Sequence, residues 1–130
     1  MPARNAPDPL PKDARSHCPI ACGLDVFGDR WTLLLVRDLM RGHKRYSEFA
    51  ASPEGIPTNI LADRLVKLED AGIVNRVPYQ DNPPRFEYLL TTKGEALRPI
   101  VKSIAAWARE HVAGTRVSDE VKRKLEATAG

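Results

Sequence analysis

The sequence predicts a mainly α-helical domain that carries one small β-hairpin. Three observations predict it. Leu61, Leu65 and Leu68 recur at helical spacing between Pro57 and Gly72. Phe86, Tyr88 and Leu90 alternate with Glu87 and Leu89 behind a proline-containing turn, which is the period of a strand. Leu97, Val101, Ile104 and Ala108 then resume the helical period.

Residues 1–17 carry Pro2, Pro7, Pro9 and Pro11 among scattered charges. They bury too little apolar surface to order themselves and read as a flexible N-terminal arm. A first helix is expected from Pro19 to about Phe27, with Cys18 as N-cap, Pro19 at N1, where a missing N–H costs nothing, and Gly28 as the break. A second is expected from about Asp29, where Trp31, Leu34, Leu35 and Leu39 recur at helical spacing and Gly42 supplies the stop. Tyr46 to Ala51 gives one or two turns, Ser52 to Ile56 carries Pro53 and Gly55, and Pro57 opens a new helix that Gly72 ends. On that helix the three leucines share one face while Asn59, Ala62, Asp63, Val66 and Lys67 point the other way.

Ile73 to Tyr79 is rich in strand formers and Gln80 to Pro84 signals a turn, so a hairpin is expected. Thr92 and Glu95 stand at capping-box spacing and open a last helix to about His111, with Pro99 expected to kink its early part. Gly114 interrupts, and Val117 to Ala127 is a charged helical stretch with a thin apolar stripe. One domain over 18–113 therefore lies between the arm and a charged helical tail over 114–130. A helix-turn-helix directly followed by a two-stranded hairpin is the arrangement of a winged helix-turn-helix.

Composition narrows the function. With 42% hydrophobic and 28% charged residues the chain is globular, and no run approaches the roughly 20 apolar residues needed to cross a bilayer. The first 17 residues lack the apolar stretch of a secretory signal, so a cytoplasmic protein without membrane association is expected. Twenty Lys and Arg against 17 Asp and Glu, a formal +3, permit a polyanionic partner without requiring one. Cys18 and Cys22 are too few for a disulfide framework and have no His or Cys cluster for zinc, so neither metal nor cofactor is expected. A thiol enzyme built on Cys18 with His17, His43 or His111 lacks an orienting Asp or Asn, and no phosphate loop or nucleophile elbow is present; no enzymatic activity is expected.

A major groove about 12 Å wide admits one α-helix, so the helix Pro57 to Ala71 can enter it with its leucine face held on the core. Thr58 and Asn59, near its N-terminus, carry short hydrogen-bonding groups suited to base edges, and an Asn pairs bidentately with adenine. Asp63 is a third base-reading candidate: it either accepts from a cytosine amine or orients Arg64 and Lys67. Lys44, Arg45, Ser47, Arg64 and Lys67 are candidates for phosphate contact, and Arg85 at the hairpin tip for a narrow minor groove. For each cation the alternative is a solvated surface side chain, and for the tip a simple proline turn.

The runs CPIACGLDVFGDRWTLLLVRDL, RYSEF, LADRLVKLEDAGIV and PPRFEYLLTTKG resemble the HxlR-type family of winged-helix regulators, over about Cys18 to His111. The resemblance implies a homodimer formed by the first and last helices of each subunit, acting on a palindromic operator. Ile100, Ile104, Trp107 and Ala108 are the dimer-interface candidates, since they give the last helix more apolar surface than one small core needs; ordinary core packing is the alternative. Some members of that family sense oxidants or electrophiles through the cysteine that precedes the family's proline, which corresponds to Cys18. A thiol at a helix N-terminus is activated by the macrodipole, whereas a buried cysteine kept for packing is inert. Cys22, one turn later, is poorly placed for an intrahelical disulfide.

The expected function is thus sequence-specific DNA binding by a homodimeric regulator, a repressor on an inverted-repeat operator, responsive to an oxidant, an electrophile or a small ligand. The alternative is a winged helix used for protein contact without specific DNA binding.

Overall fold

The computed structural model describes residues 7–115. The charged stretch expected over Val117 to Ala127 and the first six residues of the arm lie outside the described residues.

The elements follow in the order α1 (Pro19–Phe27), α2 (Thr32–Met40), α3 (Tyr46–Ala50), α4 (Thr58–Asp70), β1 (Val74–Asp81), β2 (Pro84–Leu90), α5 (Thr92–Glu95) and α6 (Arg98–His111). The mainly α fold with one hairpin and the helix-turn-helix ahead of a wing are present as expected. β1 and β2 pair antiparallel, with Val74 opposite Leu90, Arg76 opposite Tyr88 and Pro78 opposite Phe86, and the register shifts between Pro78 and Gln80. Lys44 and Arg45 add a short third edge: the Tyr88 amide donates to the Lys44 carbonyl at 2.7 Å, and Arg45 bridges to Glu87.

One core sits where α2, α3, α4, the wing base and the start of α6 converge. It comprises Leu35, Val36 and Leu39 of α2, Phe49, Ile56, the leucines 61, 65 and 68 of α4, Ile73, Val74 and Leu97. Burying a leucine of this kind is worth about 1.5–3 kcal/mol, so α4 is held by its leucine stripe rather than by helix propensity. Trp31 and Leu34, read as core from their spacing, are only half-buried, and Val36 takes the fully buried position instead.

Three local readings change. The second helix begins at Thr32 rather than near Asp29, because the Asp29 carboxylate accepts from the Trp31 and Thr32 amides and so acts as the cap. The last helix divides in two: Thr91, not Thr92, caps α5 by accepting from the Gly94 amide at 3.0 Å. Pro99 lies in the first turn of α6, where its ring opens a helix instead of kinking one. Gly94 within α5 answers to a tertiary contact: a Cβ there would lie 2.2 Å from the Ile73 carbonyl oxygen, so only glycine lets α5 approach the residue before β1 this closely.

Candidate nucleic-acid interface

The turn that sets α3 against α4 is fastened to α2 by a polar network. Asp38, 1% exposed on the core face of α2, accepts from the Ser52 hydroxyl and from the Arg37 guanidinium at 2.9 Å. Arg37 also forms a two-pronged pair with Glu54, at 2.8 Å for each bond. The bond from Glu54 raises the Arg37 pKa against its desolvation, and the same bond lowers that of Glu54. The Tyr46 hydroxyl of α3 donates to the Thr58 carbonyl at 3.2 Å, which fixes the start of α4. Glu48 accepts from the Lys44 and Arg45 amides at 3.1 and 3.0 Å and closes the first turn of α3.

Against this frame α4 presents Thr58, Asn59, Ala62, Asp63, Val66 and Lys67, all exposed, with Leu61, Leu65 and Leu68 buried behind them. Base-reading candidates Thr58, Asn59 and Asp63 therefore share one uncovered surface, and Ser47 of α3 is exposed as well. Asp63 accepts from Arg64 and, at 3.3 Å, from Lys67. Of the two roles considered for it, orientation of its neighbours is the one with contacts in the isolated chain.

The cations differ in their commitments. Arg45 pairs with Glu87 at 3.0 Å and lies 4.0 Å over the Tyr79 ring, and its hydrogen bond to Glu87 raises its pKa. Lys44 reaches Glu87 at 3.8 Å. Arg64 is directed away from the exposed face, to Asp29 at 2.9 Å. Burial acts to raise the Asp29 pKa, but the Thr32 hydroxyl, the Trp31 amide, Arg64 and the Thr32 amide outweigh it and hold the carboxyl at about 2. Among the described residues no ion pair engages Arg85, which is exposed at the wing tip opposite Gln80.

Sequence reasoning missed the Asp38 and Asp29 networks, although both left a signal. Asp38 falls three residues after Leu35, on the buried stripe of α2. Asp29 precedes Thr32 at the spacing of an N-cap.

The dimer candidates separate. Ile100 is half-buried against the core and Ala108 is half-buried, whereas Ile104 is 52% and Trp107 62% exposed. On α1 no residue is buried, and Ile20 is 74% exposed. Cys18 is exposed at the α1 N-cap with its amide donating to the Ser16 hydroxyl, while the half-buried Cys22 thiol donates to the Ser16 carbonyl at 3.3 Å. Among the described residues no group of three or more His, Cys, Asp or Glu is placed to hold a metal, and no helix is long and apolar enough to cross a membrane.

A buried-leucine helix set behind a three-helix frame, with its polar side uncovered and a two-stranded wing beside it, is the architecture of winged helix-turn-helix transcription regulators. The chain belongs to the HxlR-like helix-turn-helix family, whose model matches residues 26–116. It is 39% identical over 89 residues to the uncharacterized HTH-type transcriptional regulator YvaP of Bacillus subtilis (strain 168), covering 68% of this chain and 82% of that protein. Among solved structures it is similar to PA1607, a candidate transcription factor, with a TM-score of 0.70 and 39% identity over 80% of this chain and 72% of the other. It is also similar to the redox regulator HypR in its oxidized form, with a TM-score of 0.66 and 36% identity over 78% of this chain and all of that one.

Proposed function

We propose that this chain is a sequence-specific DNA-binding repressor that acts as a homodimer on an inverted-repeat operator. The observation that carries the reading is the sidedness of α4: every residue of its outer face is exposed, and its leucine face is locked to the core. In the major groove, Thr58 and Asn59 read base edges, and Asp63 orients Lys67 toward phosphate. Ser47, Lys44 and Arg45 contact the backbone beside α3, and Arg85 enters the adjoining minor groove. The domain spans 18–113, flanked by the arm and the charged tail.

The apolar surfaces that α1 and α6 leave uncovered, Ile20, Ile104 and Trp107 foremost, are joined between two subunits. Exposed Cys18 at the start of α1 is then the candidate oxidant sensor, a reading favoured by the similarity to a redox regulator. Duplex binding titrated at several salt concentrations, with the stoichiometry measured by sedimentation, tests the proposal. Two chains per site and affinity that falls steeply with salt support it; salt-independent or absent binding returns the chain to the protein-contact reading.

A further inference from the structure

The reading face of α4 needs a fixed angle to the dimer, and the structure offers few apolar contacts between α4 and α1 to set it. α1 buries no residue. Between the two helices lies a groove of about 290 Å³, walled by Leu24 and Val26 on one side and Lys67 and Leu68 on the other. Across one end of that groove runs the Arg64 to Asp29 ion pair, 2.9 Å long, with side chains only 20% and 29% exposed. Asp29 stands two residues beyond the end of α1, and its other carboxylate bonds cap α2 through Thr32 and Trp31.

We propose that Arg64 is a positioning residue: paired with Asp29, it clamps the DNA-reading helix to the α1–α2 turn, in place of the phosphate contact its charge suggested. Three observations carry this. Nε of the guanidinium donates to Asp29 at 2.9 Å, and Nη1 donates to Asp63, so two of its three nitrogens are held by carboxylates of this chain. Asp29 is held ionised by the Thr32 hydroxyl and the Trp31 amide, and by Arg64 with them. The pair joins the α1–α2 turn to α4 beside a groove that Leu24, Val26, Lys67 and Leu68 line without filling. The proposal rests on the reading that α4 contacts DNA, and it deepens that reading by assigning what orients the helix.

The test is a double-mutant cycle in the full chain with Asp29→Asn, which keeps a cap acceptor but removes the charge, and Arg64→Gln. The probes are a duplex selected for binding by the wild-type chain and a random-sequence duplex of about 30 base pairs. Amide exchange over 58–70 is followed in parallel. Each single variant is expected to lower the ratio of selected to random binding by about tenfold, the double variant no further, with the salt slope unchanged and faster exchange in α4. A salt slope flattened by about one in Arg64→Gln, with Asp29→Asn binding as tightly as wild type or tighter, makes Arg64 a phosphate contact and overturns the proposal. Additive losses in the double variant overturn it too. Failure of the wild-type chain to bind any duplex in a salt-dependent way overturns the reading of α4, and the clamp with it.

Discussion

The Ser52 hydroxyl donates a hydrogen bond to the carboxylate of Asp38, which is buried on α2 fourteen residues earlier in the chain. This bond attaches the turn of the helix-turn-helix to the helix behind it, so the angle between α3 and α4 depends on a polar contact inside an apolar core. A buried carboxylate that loses one donor retains its desolvation cost. Ser52→Ala is therefore expected to destabilise the fold by about 1–3 kcal/mol, read as a lower urea midpoint at unchanged slope. An unchanged midpoint would show that water replaces the hydroxyl without cost.

Asn59 is exposed near the start of α4, one residue beyond the carbonyl that Tyr46 anchors. Asn59→Ala is expected to weaken binding to a selected duplex by about 1–3 kcal/mol while sparing random-sequence DNA. Equal losses on both probes would remove the base-reading role.

Arg85 is exposed at the wing tip, with no ion pair among the described residues. Because no described residue forms an ion pair with that charge, Arg85→Ala is expected to weaken binding across sequences and flatten the salt slope by about one. A slope identical to wild type would make the tip a bystander.

Acid should loosen the α1–α2 turn. The Asp29 carboxyl drops from the ordinary 3.8 to about 2 on folding. Its contribution is therefore fully present above about pH 4 and is lost as pH falls through 2. Wild type is expected to lose stability over that window by on the order of 1 kcal/mol more than Asp29→Asn, after allowance for solvent screening at a partly exposed site. Parallel stability curves for the two proteins between pH 4 and 2 would show that the ionised Asp29 carboxylate adds nothing.

Local chemistry made much of this fold legible. The leucine stripe between Pro57 and Gly72, the alternation of Phe86, Tyr88 and Leu90, and the proline at the start of α1 each act over a few residues, and each element formed where its pattern stands. The need for glycine at position 94 was not legible, because it depends on how closely Gly94 approaches the Ile73 carbonyl, a contact between elements. The site divides the same way. Helical periodicity alone puts Asn59 and Asp63 on the face opposite the leucines. That Arg64 turns back to Asp29, 35 residues earlier, follows from tertiary placement that charge patterning cannot supply. Charge counts therefore overstate the cations available to phosphate.

Selection of bound fragments from total genomic DNA by the purified chain tests the DNA-reading role of α4 most directly. Enrichment of an inverted repeat whose half-sites lie about one helical turn apart, lost in Asn59→Ala, is the expected result. No enrichment over bulk DNA at moderate salt would contradict it.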